Sequence, residues 1–179
     1  TELTVPQAMD EYIKAWCALK VLSRVYGFGD PDGFVFNMSV GYDLEGIKGE
    51  KVNTYIDGMM DANKTAIFGE CKAVLKELFP AESAYIDGIS PRVSRSVTVS
   101  TLPRCPPDEI ERIASYLISE KHLHTFVKCN PTILGYETAR RILDGMGYGY
   151  IVFDDHHFRG GSAVGRCGAH VRASARRWP

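Results

Sequence analysis

Between Ser96 and Asp155 the chain repeats one pattern twice, with an apolar strand, a polar turn and an amphipathic helix following one another. The strand candidates are rich in β-branched and other apolar residues and cover residues 96–102, 125–129 and 150–153. Helical spacing of apolar residues predicts one helix that begins near Pro107 and another over residues 136–146, ended by Gly147. This order of elements predicts parallel strands joined by right-handed crossovers.

Polar and reactive residues stand at or just after the predicted strand ends. They are Cys105, Lys128, Asn130 and Asp154. Ligands of parallel α/β sheets and barrels bind at the carboxyl ends of the strands. We therefore expect these residues to share one rim, and any functional site to lie there.

The first half of the chain adds helices and one more strand. Thr4-Val5-Pro6-Gln7 has the composition of a helix start, and one apolar face is predicted to follow it, formed by Met9, Tyr12, Ile13, Trp16, Leu19, Leu22 and Tyr26. Residues 34–40 form the strand candidate, and the glycine-rich residues 41–49 are predicted to be a rim loop. Two further helices are predicted over residues 52–60 and 68–79, with an irregular connection over residues 81–95.

Composition places the chain among ordinary globular proteins. Apolar residues make up 45% and charged residues 24% of the 179 positions, which suits a single domain with a sizeable core. No apolar run is long enough to span a membrane, and the first residues do not resemble a signal peptide, so we expect a cytoplasmic protein. Five cysteines without C-x-x-C spacing predict free thiols.

The last 21 residues differ from the rest of the chain. Residues 159–179 contain five arginines and no acidic residue, so the remainder is acidic although the formal net charge is only −1. This segment also has few large apolar residues, too few to build a core. We predict two regions, a folded one over residues 1–158 and a basic tail that is disordered or not native sequence.

Three segments together resemble one family: residues 36–48, residues 100–111 with Cys105-Pro106, and residues 125–136 with Lys128-Cys129-Asn130-Pro131. This family is the selenate reductase flavoprotein subunit, a relative of dihydropyrimidine dehydrogenase. The resemblance extends from Thr1 to about Phe158. It implies a partial TIM-type (β/α) barrel of the dihydroorotate dehydrogenase kind, in which this chain supplies the third to sixth of eight strands with their surrounding helices.

The resemblance also implies cofactors and partners. The barrel would bind FMN and transfer electrons between the flavin and a small-molecule substrate. Iron-sulfur clusters, FAD and NAD(P)H would belong to other parts of the parent protein. The remaining barrel segments or electron-transfer subunits would be the partners, and this fragment would be inactive alone.

Two residues are implied to act near the flavin ring. Lys128 matches the strand-ending lysine that approaches the flavin, where its cation would stabilise the negative charge of the reduced form. Cys105 matches the catalytic cysteine that donates a proton to the substrate. The residues before it, Thr101-Leu102-Pro103-Arg104, depart from the Asn-Leu-Ser of the related enzymes, so pyrimidine recognition is not implied. A cysteine that packs at the helix start as a small apolar residue is the alternative.

Four more residues are candidate hydrogen-bonding partners of the flavin or substrate: Asn37, Ser39, Thr101 and Asn130. Each could instead satisfy backbone groups at a strand end. The pairs His122/His124 and His156/His157 do not have the spacing of a metal site, and no metal is expected. Two other functions remain open, namely a non-catalytic α/β scaffold and a polyanion binder that uses the arginine tail.

Overall fold

The computed structural model describes residues 3–100, 107–128 and 134–158. One or more helices separate the strands along these ranges, with short 3₁₀ turns between some of the elements. In chain order they are α1 (Val5–Tyr26), β1 (Phe36–Val40), α2 (Leu44–Lys48), α3 (Glu50–Met60), α4 (Ala66–Leu78), α5 (Ser83–Asp87), β2 (Ser94–Ser100), α6 (Pro107–Ser119), β3 (His124–Lys128) and α7 (Tyr136–Gly145).

The three strands form one parallel sheet in the order β1-β2-β3. Sequential parallel strands with helical connections confirm the predicted α/β class. Side chains alternate along β1, where Met38 and Val40 are buried and Ser39 between them is exposed. Val97 and Val99 of β2 are buried in the same alternating way.

The chain divides into two compact units. Unit 1 comprises Thr1–Met38 and Glu45–Val97, and unit 2 comprises Ser39–Leu44 and Thr98–Pro179. The division cuts β1 and β2 in their middle. Unit 1 therefore holds the amino-terminal halves of these strands with α1 and α3 to α5, whereas unit 2 holds their carboxyl ends with β3, α6 and α7.

The core of unit 1 forms where α1 packs against α3 and α4. The first turn of α1 is capped, because the Thr4 N–H donates to Gln7 Oε1 at 2.9 Å. The predicted apolar face was only partly right, since Tyr12, Leu19 and Tyr26 are each more than a third exposed. Apolar residues of α1 extend over more than one face, and the position of the neighbouring helices decides which are covered. The buried stripe is Ile13, Trp16, Cys17, Lys20 and Val21.

A lysine lies in this stripe because its charge is compensated. Lys20 is 5% exposed, and its Nζ donates to Asp32 Oδ1 at 2.6 Å. The same ammonium lies 4.3 Å from the Trp16 ring centre and 4.8 Å from that of Phe34. An ion pair and two cation–π contacts offset the cost of burying the charge, and they attach the loop between α1 and β1 to the helix.

The core of unit 2 forms around α6. Its predicted stripe is confirmed for Ile113, Ala114 and Leu117, which are buried. Leu123, in the turn before β3, is also buried, and its N–H donates to the Leu117 carbonyl. The later part of unit 2 is packed less densely, and Ala139 is the one residue of α7 that is buried.

The predicted fourth strand was wrong in the described part of the chain. Residues 150–153 form no strand, and Tyr150 and Val152 are 76% and 94% exposed. Arg140 binds the carbonyls of Tyr148 and Ile151, and the Ile151 N–H donates to Tyr148. These contacts occupy the backbone groups that strand pairing would need.

Two predicted loops contain short helices. α2 lies inside the glycine-rich residues 41–49, and α5 lies inside the connection over residues 81–95. Each helix has only five residues, which is too short for apolar periodicity to reveal it.

Candidate functional site

Unit 2 brings the carboxyl ends of the described strands into one compact region. Ser39 and Val40 end β1, Ser100 ends β2, and β3 lies wholly within this unit. Since parallel strands point the same way, their carboxyl ends form one edge of the sheet. This edge is the rim that the sequence predicted as the place for a ligand.

Lys128 is the last residue of β3 and its side chain is exposed. Phe126, two residues earlier on the same side of the strand, is 59% exposed, whereas Val127 between them is partly covered. The structure therefore presents a cation at the rim, with an aromatic ring one step further down the strand. A flat anionic or polar ligand could contact both.

Ser39 and Asn37 are exposed on one side of β1, alternating with the buried Met38 and Val40. Ser39 belongs to unit 2, so its hydroxyl lies in the same unit as Lys128. Asn37 belongs to unit 1, and its Nδ2 donates to the Met38 carbonyl at 3.0 Å. One local backbone partner, the alternative that the sequence left open, is therefore present for Asn37.

Three predicted site residues lie outside the described residues. They are the candidate proton donor Cys105 and the candidate hydrogen-bonding residues Thr101 and Asn130. Their roles stay predictions. The expectation that residues 159–179 are a disordered or non-native tail also stays a prediction, because these residues lie outside the described ranges.

Glu109 of α6 holds the chain that follows β1. The Leu44 N–H donates to Glu109 Oε1 at 2.9 Å, although the two residues are 65 positions apart. Glu109 also forms an ion pair with Arg112, and its side chain is only 15% exposed. The sequence showed Glu109 only as a negative charge near the start of a helix, so no signal in it pointed to this contact.

The two described cysteines, Cys17 and Cys71, have free thiols, and both belong to unit 1. Burial, with a smaller contribution from the neighbouring Cys71, raises the pKa of the Cys17 thiol to about 12. Burial also raises the pKa of Cys71. Because the thiolate is the reactive form of cysteine, neither thiol suits nucleophilic chemistry near neutral pH.

Histidine, cysteine, aspartate and glutamate form no group of three or more with the arrangement of a metal site within the described ranges. His122 and His124 are exposed, on either side of the buried Leu123. His122 has a φ of 54°, in the left-handed region, because it makes the turn into β3.

Two grooves of the described surface lie in unit 1. The larger encloses about 400 Å³ beside Met9, Gly58 and Thr65, and the smaller about 240 Å³ beside Val5 and Tyr55. Neither is lined by a residue that the sequence predicted for the site. In the part of the chain that the structure describes, no helix has both the length and the apolar character needed to cross a bilayer.

Comparison with known proteins gives the family. A family model described as "Oxidoreductase YgfK, N-terminal TIM-barrel domain" matches residues 1–165. Two relatives, from Escherichia coli strain K12 and from Escherichia coli O157:H7, are both described as "Putative oxidoreductase YgfK". Each is 41% identical over 174 residues, which cover 88% of this chain and 17% of the relative. No solved structure matches the chain.

The family confirms the predicted fold class, because three parallel strands with surrounding helices are part of a TIM barrel. The description of this family carries the word oxidoreductase, which is the reaction class expected for the parent protein. The chain spans only about 17% of the length of the curated relatives it matches. The chain belongs to the family of YgfK oxidoreductase N-terminal TIM-barrel domains.

Proposed function

We propose that the chain is part of an FMN-dependent oxidoreductase subunit, similar to the selenate reductase flavoprotein and related to dihydropyrimidine dehydrogenase. The subunit would transfer electrons between a bound flavin and a small molecule. The observation that carries the proposal is the exposed Lys128 at the carboxyl end of a parallel strand in a TIM-barrel family of oxidoreductases. In barrel enzymes the catalytic groups come from such strand ends.

The charge of Lys128 suits a flavin. When bound, FMN would supply the redox chemistry, and its ring system carries more negative charge after reduction. A positive charge that is already present at the rim favours the reduced form of the flavin. Phe126 adds an exposed apolar surface below the cation.

The remaining described groups fit a polar, ring-shaped ligand. The Ser39 hydroxyl can donate and accept a hydrogen bond at the end of β1, and the exposed Asn37 amide lies one step below it on the strand. The resemblance adds Thr101 and Asn130 as further hydrogen-bonding groups and Cys105 as the proton donor to substrate. Iron-sulfur clusters, FAD and NAD(P)H would serve in other parts of the parent protein, which we propose to be cytoplasmic.

FMN titration tests the proposal. FMN would be titrated into the chain alone and into a restored barrel. The restored barrel is this chain joined to the flanking barrel segments of an Escherichia coli relative. We expect the restored barrel to bind FMN, seen as flavin fluorescence quenching and as bound flavin absorbance after gel filtration. Lys128→Ala should weaken FMN binding by about tenfold, the loss expected for one charge-assisted contact.

Lys121→Ala is the matched control, because it removes the same charge from the turn at the amino-terminal end of β3. It should leave FMN binding unchanged. Lys128→Ala should also leave the unfolding midpoint nearly unchanged, since the side chain is exposed. A folded restored barrel that ignores FMN would reject the proposal and favour the non-catalytic scaffold.

A further inference from the structure

Helix α1 carries a second line of apolar and aromatic residues besides its buried stripe. The residues of this line follow one another at steps of four, three, four, three and four positions, which keeps them on one side of a helix. We call this line the outer face of α1. Its members are Ala8, Tyr12, Ala15, Leu19, Leu22 and Tyr26. No charged residue interrupts the line.

The outer face is uncovered over much of its length. Leu19 is 43% exposed and Tyr26 is 59% exposed. Just beyond the helix, the Phe28 ring stacks on the Tyr26 ring with 5.7 Å between the ring centres, and Phe28 is itself 75% exposed. Nearer the start of the helix, the half-exposed Tyr12 ring meets the Phe36 ring edge-on. The structure therefore shows an apolar stripe, several turns long, that faces solvent.

This stripe differs from the isolated apolar residues that most protein surfaces carry. An apolar residue that is exposed singly needs no explanation, whereas a contiguous apolar patch indicates a contact surface. A helix that borders water on one side usually has a single apolar face. α1 instead has two, namely the outer face and the buried stripe with Ile13, Cys17 and Val21. Such a helix fits a position between two neighbours.

Only one side of α1 has neighbours among the described helices, because α3 and α4 pack against its buried side. In a TIM barrel the helices form an outer ring around the strands, so a helix of the ring has a neighbour on each side. By its family, α1 belongs to such a ring. The matched relatives are also much longer, since the chain spans only about 17% of their length. A helix outside this chain is therefore available to lie on the outer face.

We propose that the outer face of α1 is the docking surface for another helix of the outer ring, supplied by the part of the parent protein that this chain lacks. The partner helix carries large apolar residues at the same three- and four-residue spacing, because side chains with this spacing interlock when two helices cross at about 20°. The small side chains of Ala8 and Ala15 leave room for these residues beside Tyr12 and Leu19. The inference goes beyond flavin binding and does not depend on it.

Substitutions at Leu19, in the middle of the outer face, test the proposal by urea unfolding of two proteins, the chain alone and the restored barrel. Leu19→Glu puts a charge at the contact. In the restored barrel this charge would be buried against the partner helix, so the urea midpoint should fall by about 1 M or more. In the chain alone the side chain remains close to half exposed, and the midpoint should change by less than about 0.3 M.

Two milder variants keep the test decisive if the restored barrel with Leu19→Glu does not fold. Leu19→Ala should lower the urea midpoint of the restored barrel more than that of the chain alone, whereas Leu19→Met keeps the apolar volume and should change neither. Val74→Glu is the matched control, because Val74 is a 54% exposed apolar residue of α4 that does not belong to the outer face. It should shift the midpoints of both proteins equally.

Two outcomes would overturn the proposal. If the Leu19 variants shift the midpoints of the folded restored barrel and of the chain alone equally, the outer face stays in solvent. If the restored barrel sediments as a dimer that Leu19→Glu dissociates, a second copy of the chain occupies the outer face instead of a helix of the same barrel. A restored barrel that shows the expected Leu19 effect but binds no FMN would support this inference while rejecting the flavin proposal.

Discussion

The two units differ in how their apolar residues are used. Unit 1 buries long side chains from many elements, including Ile13 of α1, Ile56 and Met59 of α3 and Ile86 of α5. Unit 1 also exposes large apolar residues, among them Phe28 and Val35. Unit 2 buries fewer, mainly Ile113, Leu117 and Leu123 around α6, and exposes others on β3, on α7 and after α7. These exposed residues are Phe126, Ile142, Met146, Tyr150 and Val152.

If the strand ends of unit 2 bind a ligand as proposed, the residues that stabilise the fold and those that contact the ligand are different ones. A buried side chain contributes to folding because it leaves water, and this contribution requires that its neighbours cover it. A ligand-binding side chain must remain accessible, as Ser39 and Lys128 are. Substitutions in the core of unit 1 should therefore change the free energy of unfolding, whereas substitutions at the strand ends of unit 2 should change binding.

The largest expected effect is on the unfolding of unit 1. Trp16 is buried, its Nε1 donates to the Ser90 carbonyl at 2.9 Å, and its ring packs against Phe34 and Phe36. Trp16→Ala should lower the free energy of unfolding by about 3–5 kcal/mol, measured by urea titration with circular dichroism. Phe126→Ala in unit 2 should change it by only about 0.5 kcal/mol, since that ring is largely exposed. Equal losses would contradict the contrast between the two units.

An intermediate effect should appear at alkaline pH. The buried Cys17 thiol has a pKa of about 12 in the folded chain against an ordinary value of 9.0, so the unfolded chain loses this proton first. The stabilisation by the buried neutral thiol is complete below pH 9 and is lost as the pH rises towards 12.

Cys17→Ala removes this titration. Between pH 9 and pH 11 the parent protein should therefore lose about 1–2 kcal/mol more unfolding free energy than the variant, measured by urea titration at each pH. Burial also raises the pKa of Tyr55 to about 12, but Tyr55 is present in both proteins and cancels from the comparison. Parallel stability curves would show that Cys17 is not buried as described.

The smallest expected effect concerns the turn into β3. His122 has a φ of 54°, which is unfavourable for a residue with a Cβ atom and harmless for glycine. His122→Gly should raise the free energy of unfolding by about 1 kcal/mol. His124→Gly is the matched control, because His124 is equally exposed but lies in β3, where glycine should cost about 0.5–1 kcal/mol. A loss at both positions would show that His122 does not hold a left-handed conformation.

Sequence reasoning was most successful where local chemistry decides the structure. The start of α6 at Pro107, the end of α7 before Gly147 and the buried face of α6 follow from helix-start residues, a left-handed glycine and apolar spacing. The expected α/β class followed from the order of strands and helices, and the TIM barrel was implied by the family resemblance of three sequence segments. Local signals failed for residues 150–153, whose apolar character predicted a strand that the described structure does not form.

The strand-end positions of two candidate site residues were predictable, whereas the contacts around them were not. Parallel topology alone places Ser39 and Lys128 at strand ends, and the structure shows both side chains exposed there. No pattern in the sequence connected Glu109 to Leu44, because a hydrogen bond between residues 65 positions apart depends on how two loops meet.

The amino-acid sequence by itself determined most of the helices and strands, their order and which residues stand at the carboxyl ends of β1 and β3. It did so because capping, periodicity and strand direction act over a few residues at a time. Only the tertiary structure decided that Lys20 is buried between Trp16 and Phe34, that Arg140 holds residues 148–151, and that Glu109 binds the Leu44 amide. Each of these depends on a side chain of one element meeting groups of a loop or another element within hydrogen-bonding or van der Waals range, which local sequence patterns do not encode.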